Sequence, residues 1–430
     1  MTSTRHRVLI VGNGGREHAL AVKIAASQRV DRVYVAPGNA GTARMTGVEN
    51  VALAATDIDG LRDFARDNDI SLTVIGPEAP LAAGIVDMFE QAGLACFGPG
   101  RDAARLEASK AFSKDFLARH AIPTADYAVF SDYDEAATYI HNVGAPIVVK
   151  ADGLAAGKGV FLADSVEAAL AAARDMLEDN AFGDSGARIV VEQFLTGEEA
   201  SFIALVDGEN ILPLASSQDH KAAFDGDTGP NTGGMGAYSP APVMTDAVFE
   251  RVMEDVIRPT VAGMAADGNA FTGFLYAGLM IDDAGDARVL EFNVRLGDPE
   301  TQPILMRLQS DLVDLIEAAL ETRLDQVEAE WDARAALGVV MAAGGYPGAY
   351  EKGDEITGLD AAEATGARVF HAGTRTADND SVLTDGGRVL CVCALGDDVA
   401  QAQARAYEMV EAIDWPGGFC RKDIGHRILK

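Results

Sequence analysis

The first hundred residues alternate short apolar runs with helical stretches, and this alternation restricts the fold more than any other feature. Val8, Leu9, Ile10 and Val11 are consecutive apolar residues closed by Gly12. Similar runs recur at 32–36, 72–76 and 95–98, separated by helical patterns near 16–26, 57–68 and 80–93. Continuous apolar strands are buried on both faces, and strands separated by helices pair in parallel. An N-terminal parallel-sheet α/β domain is therefore expected over 1–105. Ligands of such sheets sit beyond the carboxyl ends of the strands. Two polar turns land there, one holding Asn13, Gly14 and Gly15, the other holding Glu78 between Pro77 and Pro80. Glycines at a helix start let backbone N–H groups approach an anion. A dinucleotide fingerprint is incomplete, because Gly12 and Gly14 fit it but Glu17 stands where the third glycine belongs. Glu78 suits a ribose hydroxyl or an amine, and it suits equally well a cap on the next helix.

Composition narrows the classes of function. The net charge of −31 leaves no basic footprint for nucleic acid. Acidic residues are spread along the chain as solvated surface, so an anionic substrate would need local cations or a metal to offset them. With 48% hydrophobic residues the chain can bury several cores, and no apolar run nears the ~20 residues of a membrane span. The apolar run 8–11 is too short for a signal-peptide core, which makes a cytoplasmic location the expectation. Cys96, Cys391, Cys393 and Cys420 are irregularly spaced, and the pair at 391 and 393 lies in an apolar strand pattern, as buried free thiols do.

The middle of the chain reads as a nucleotide site of an unusual kind. A helix is expected from Leu106 to about His120, carrying Lys110. An apolar strand then ends at Lys150, followed by a run holding Gly153, Gly157, Lys158 and Gly159 before a second apolar strand. Backbone amides and an ammonium group are what a triphosphate needs around it. The run is not a P-loop: three residues separate its first two glycines, Gly159 follows the lysine, and no helix comes next. A ligand-free glycine hairpin has the same pattern. Downstream, the apolar strand 187–195 leads through Glu192 and Phe194 into a linker with Glu199. Such a segment suits an adenine edge and ribose hydroxyls, and a hairpin with solvated glutamates looks similar.

The strand 289–293 continues to Arg295, and alternation puts Glu291, Asn293 and Arg295 on one face while Phe292 and Val294 pack inward. A carboxylate and an amide oxygen are hard ligands for Mg2+ or Mn2+, and an arginine one step on suits a phosphoryl group. A solvated polar edge strand would read the same way. Gly297, Asp298 and Pro299 then turn the chain.

In their order, these pieces resemble the ATP-grasp superfamily, in which two α+β lobes clamp ATP. Six motifs carry a closer resemblance: 13–19 (NGGREHA), 36–42 (APGNAGT), 150–159 (KADGLAAGKG), 218–221 (QDHK), 228–240 (TGPNTGGMGAYSP) and 295–302 (RLGDPETQ). They are similar to those of the phosphoribosylamine–glycine ligase family, with Leu296 replacing the usual phenylalanine. The resemblance implies a multidomain α/β and α+β chain: the N-terminal domain, an ATP-grasp lobe with the glycine-rich flap at 106–197, a lobe with the metal site at 198–330, and a small α/β cap at 331–430. It implies ATP-dependent joining of glycine to 5-phosphoribosylamine through glycyl phosphate, giving glycinamide ribonucleotide, ADP and phosphate in purine biosynthesis. No segment is left for a fused second activity.

The same resemblance distributes roles. Lys110, Lys150, Gly157, Lys158 and Gly159 meet the ATP phosphates, while Glu192, Phe194 and Glu199 hold adenosine. Glu291 and Asn293 bind Mg2+ or Mn2+, since the preceding strand 273–281 is apolar and lacks the further glutamate that many ATP-grasp members place there. Arg295 stabilises the transferring phosphoryl group, with Asp298 and Lys221 as further catalytic residues. Asn13, Gly14, Gly15, Glu78, Asp219 and Asp298 face the substrates, and the loop 228–239 either closes over them or is a surface loop. His371 and Arg375 of the cap suit a structural role better than a phosphate. Partners are expected to be small molecules, with neither nucleic acid nor membrane, the chain acting as a monomer in passing contact with neighbouring purine-pathway enzymes. Another ATP-grasp carboxylate–amine ligase, or a nucleotide-binding sensor without turnover, are the competing readings.

Overall fold

The computed structural model describes residues 5–155, 159–179, 183–363 and 367–429. Its N-terminal sheet is formed by β1 (His6–Gly12), β2 (Val30–Pro37), β3 (Val48–Asn50), β4 (Leu72–Ile75) and β5 (Cys96–Phe97), in the order β3-β2-β1-β4-β5. Every pairing is parallel, as the apolar runs require. Strand order reverses between β1 and β4, so the crevice opens where both polar turns lie. Helix α1 (Gly15–Ala25) leaves that crevice with Glu17 buried in its first turn. A Cβ at Gly76 would lie 2.0 Å from the Glu17 carboxylate, and one at Gly12 would lie 2.5 Å from its Cγ. Glu17 thus fills the space that a dinucleotide would need.

The helix expected from Leu106 is instead two, α2 (Arg101–Ala108) and α3 (Lys110–Arg119). Ser109 is the cause: its backbone is extended and its hydroxyl accepts the Phe112 N–H, so it caps a new helix rather than continuing the old one. The flap lobe follows as an antiparallel sheet of β6 (Tyr127–Phe130), β7 (Ile147–Ala151), β8 (Val160–Ala163) and β9 (Ile189–Gln193), in the order β6-β9-β7-β8. Helices α4 (Tyr133–Val143) and α5 (Val166–Leu177) cover it, and Ile140, Val149, Ala173 and Val191 belong to a core of its own.

A third sheet carries β10 (Glu198–Asp207), β11 (Ile211–Pro213), β16 (Thr272–Ile281) and β17 (Ala287–Asn293), in the order β11-β10-β16-β17. Between β11 and β16 the chain leaves this sheet. The short strands β12 (Gln218–Asp219) and β15 (Gly236–Ser239) pair with each other, and β15 pairs with β18 (Ala335–Ala342) of the C-terminal unit. Strands β13 (Ala222–Phe224) and β14 (Thr228–Asn231) form a hairpin between them. The 228–239 segment is therefore largely strand rather than loop. The C-terminal sheet is completed by β19 (Arg368–His371), β20 (Arg388–Gly396) and β21 (Phe419–Cys420) under a covering helix, Val399–Val410. Cys96, Cys391 and Cys393 are buried free thiols. No helix among the described residues is long and apolar enough to cross a membrane.

Candidate active site

A cavity of about 540 Å3 lies where the four units meet, lined from the N-terminal domain by Arg16 and Glu78 and from the cap by Arg388. Strand β17 supplies its floor. The register slips opposite Gly278 and Leu279, which pair with Glu291 and Val289 and leave Leu290 as a bulge. Bulges re-aim side chains beside functional sites. Here Glu291 and Asn293 line the cavity, while Val289, Phe292 and Val294 enter the core. Arg295 lies beyond the strand end with Nη2 on Glu107 Oε1 at 2.7 Å and Nε 3.4 Å from Glu78 Oε2. The Arg295 Nε–H makes no hydrogen bond in the chain although it is buried.

Burial pushes the Glu107 carboxyl up to about 7, with Arg295 pulling it down and Glu78 adding to the rise. Burial also works against ionisation of Glu291, but Lys221, Lys150, Lys110 and Arg295 outweigh it and hold its carboxyl below the usual range. The Asn293 side chain makes no hydrogen bond to another described residue. An ionised carboxylate and an uncommitted amide oxygen fit a divalent cation. No group of three or more His, Cys, Asp or Glu able to hold a metal occurs among the described residues. A cation held by Glu291 and Asn293 would complete its shell with ligand oxygens and water, as Mg2+ does in phosphate sites.

Four lysines enter from the other walls. Lys110 Nζ donates to Gly153 O at 3.2 Å, and its helix start is pinned when Asp152 Oδ1 accepts from Ser109 Oγ and the Ala111 N–H. Lys150 on β7 and Glu192 on β9 are diagonal neighbours on one face, since Val148 stands opposite Glu192. Lys150 and Lys114 both reach Glu192 Oε2 at 3.0 Å, and Oε1 is buried without a partner. Burial, aided by Lys150 and opposed by Glu192, brings the Lys114 ammonium down to about 8. Lys221 pairs with Glu199 at 2.9 Å and lies 4.0 Å from Glu291. Glu300, buried, accepts from Tyr276 Oη at 3.0 Å and from Ser201 Oγ at 3.1 Å.

Asp219 also lines the cavity, and burial pushes its carboxyl up to about 7 against the pull of Lys221, with Glu300 and Glu199 adding to the rise. A carboxyl raised on folding adds stability at low pH that is lost as pH climbs through its folded value. Asp219→Asn removes that liability. The variant is expected to melt about 2 °C or more above wild type at pH 8 and no higher at pH 4, measured by thermal unfolding. An equal shift at both pH values would show that ionisation is not the cause.

Among the expected site residues, the cavity collects Lys110, Lys150, Gly159, Glu192, Phe194, Glu199, Glu78, Asp219, Lys221, Glu291, Asn293, Arg295 and Asp298. Gly157 and Lys158 lie outside the described residues. Asn13, Gly14 and Gly15 are not among the residues that line the cavity. The Gly14 N–H donates to Glu17 Oε2 at 2.5 Å, and the next residues reach the cavity through Arg16. His371 is buried against His18 and Arg375 is exposed, and neither lines the cavity. Sequence reasoning passed over Arg16, Glu107, Lys114, Glu300 and Arg388. Arg388 Nη1 donates to the carbonyls of Gly233 (2.5 Å) and Asp298 (2.6 Å), tying the glycine-rich segment to the Asp298 turn. Lys114 alone had a visible signal, lying one helical turn after Lys110.

A flap sheet and a second sheet closing on a cavity that holds four lysines and a Glu-x-Asn strand define an ATP-grasp protein. Three family models match in order: the phosphoribosylglycinamide synthetase N domain at 6–107, its ATP-grasp (A) domain at 108–301 and its C domain at 336–427. The chain belongs to the phosphoribosylglycinamide synthetase family. It is 65% identical to the phosphoribosylamine–glycine ligase of Allochromatium vinosum over 98% of this chain and 99% of that one. Identity to the Escherichia coli enzyme of the same name is 62%, over 99% of each. The crystal structure of phosphoribosylamine–glycine ligase from Thermotoga maritima superposes with a TM-score of 0.84 at 35% identity, covering 97% of this chain and all of that one.

Proposed function

We propose that this chain catalyses the ATP-dependent ligation of glycine to 5-phosphoribosylamine, forming glycinamide ribonucleotide, ADP and phosphate in purine biosynthesis. The observation that carries the reading is the single cavity in which Lys110, Lys150, Glu291, Asn293, Arg295 and Asp298 converge from separate segments of the chain. A carboxylate is a poor electrophile, so glycine is activated first. A glycine carboxylate oxygen bonds to the γ-phosphorus as the bond from phosphorus to the β-phosphate oxygen breaks, releasing ADP. The amine of phosphoribosylamine then bonds to the acyl carbon of glycyl phosphate, inorganic phosphate leaves, and the nitrogen gives up a proton.

Phosphoryl transfer asks mainly for positioning and charge neutralisation. Lys110 and Lys150 meet the ATP phosphates, and Arg295 faces the transferring group. Glu192 Oε1, the buried acceptor without a partner, suits the exocyclic amine of adenine, with Phe194 beside the ring and Glu199 toward the ribose. Glu291 and Asn293 would hold Mg2+ or Mn2+, which would supply positive charge at the phosphates. Glu78, Asp219 and Asp298 take the amine and ribose groups, with Lys221 between Glu199 and Glu291. Leu154, Ala155 and Leu162 give the flap side an apolar wall, which keeps water from an acyl phosphate. The protein acts as a cytoplasmic monomer in passing contact with neighbouring purine-pathway enzymes.

ADP release measured with both substrates, and with each omitted, tests the reading. Sustained release, beyond one equivalent per enzyme, is expected only when glycine and phosphoribosylamine are both present. ADP formation indifferent to either one would end the ligase assignment, and nucleotide binding without any turnover would favour a sensor.

A further inference from the structure

Glu107 is the last residue of the matched N domain, and it holds the segment that carries Arg295. Its side chain is 8% exposed. One carboxylate oxygen accepts from Arg295 Nη2 at 2.7 Å, and the other accepts from the Val294 backbone N–H at 2.8 Å. The same carboxylate therefore fixes both the main chain at the end of β17 and the guanidinium one residue on. No other described side chain grips this segment twice. Glu78 approaches only Nε, at 3.4 Å, without a hydrogen bond, and Arg295 Nη1 turns back to the Leu296 carbonyl. Arg16 and Lys110 also act on the Glu107 carboxylate through their charge, and neither makes an ion pair or hydrogen bond with it.

We propose that Glu107 is a positioning residue that aims the Arg295 guanidinium at the reacting phosphoryl group, so that the N-terminal domain sets the geometry of the ATP-grasp centre. The inference rests on the role given to Arg295 above. β17 ends at Asn293, so Val294 and Arg295 have no partner strand to hold them. A free arginine side chain samples many rotamers, and an offset of about 1 Å at a reacting centre costs roughly 100-fold in rate. Two charge-assisted hydrogen bonds from one buried carboxylate remove that freedom. Because Glu107 lies on α2 and grips the two residues just past β17, it also transmits any shift of α2 to Arg295.

The test compares kcat and the KM for ATP in wild type, Glu107→Ala, Arg295→Ala and the double variant. Glu107→Ala is expected to lower kcat about 100-fold with the KM for ATP within about threefold of wild type. In the Arg295→Ala background the same change is expected to cost no more than about threefold, because the group it aims is gone. Independent, multiplying losses in the double variant would overturn the proposal, as would a Glu107→Ala kcat within about threefold of wild type. Should Glu107→Ala fail to fold, the isosteric Glu107→Gln decides, since its amide can accept only one of the two bonds. That variant is expected to lose about tenfold or more in kcat, and an unchanged kcat overturns the proposal. An inactive wild type would instead count against the proposed ligase activity, and a fully active Arg295→Ala against the arginine's role.

Discussion

Replacing Arg295 by alanine is expected to slow substrate-dependent ADP formation by about 100-fold to 1,000-fold, the range found when one preorganised charge-stabilising donor is removed. The guanidinium is the cation at the end of β17 beside the Glu291 and Asn293 face, and its buried Nε–H is uncommitted in the chain. An uncommitted donor is costly to bury, so its presence points to a group that arrives with the substrates. The variant also separates catalysis from folding. Loss of the arginine strips Glu107 and Glu78 of their counter-charge, and their carboxyls rise, Glu107 from an already elevated 7 or so. A raised carboxyl destabilises the fold as pH climbs. Arg295→Ala should therefore lose more melting temperature relative to wild type at pH 8 than at pH 5. Arg295→Lys keeps a charge between the two glutamates and should recover much of that stability. It should recover little of the rate, because an ammonium cannot reproduce the two-sided fork. Wild-type turnover in either variant would remove Arg295 from phosphoryl transfer.

Residues whose roles depend on local periodicity were legible in the chain, and those whose roles depend on distant contacts were not. Strand alternation alone places Glu291 and Asn293 at the cavity with Phe292 in the core, and the lysine ending an apolar strand is Lys150 on β7. Glu107 stands 188 positions from the arginine it grips, and Arg388 155 from the Gly233 carbonyl, so no window of sequence connects them. The break at Ser109 was missed because the apolar pattern continues through it; only the serine's capping chemistry marks the change. The segment 228–239 reads as a loop of the ATP-grasp lobe because its glycines suggest turns. Its strand character comes from pairing of Gly236–Ser239 with β18, a contact made a hundred residues downstream. At the glycine turn, the carboxylate that accepts the Gly14 N–H belongs to Glu17, the residue that breaks the dinucleotide pattern.

The cavity's own charge explains why an acidic protein can take an anionic nucleotide. Among the described residues, seven cations and eight carboxylates line it, so it is close to neutral while the chain as a whole carries −31. Several cations are already partnered inside the protein, as Lys150 and Lys114 are by Glu192 and Lys221 is by Glu199. Little free positive charge is left to meet a triphosphate. In the proposed reaction a divalent cation entering with the nucleotide would supply the missing charge, and Glu291 would be the residue on which that supply depends.

Glu291→Ala is accordingly expected to reduce ADP formation at least about 100-fold at ordinary Mg2+ concentration. The carboxylate that shares Lys221 with it, Glu199, is already paired at 2.9 Å. Gly278 stands opposite Glu291 on β16, Lys221 is the charged group within 4.0 Å, and Asn293 brings a neutral oxygen only. Titrating Mg2+ distinguishes the metal role from a positioning role for Lys221. If Glu291 holds the cation, the variant's rate should rise with Mg2+ well beyond the concentration that saturates wild type. Glu291→Gln, which keeps an oxygen without the charge, should fall between the two. If Glu291 instead serves to hold Lys221, the Mg2+ dependence of the variant should match wild type and only the maximal rate should fall. The second outcome would move the metal away from β17, and with it the reason for a bulge at Leu290.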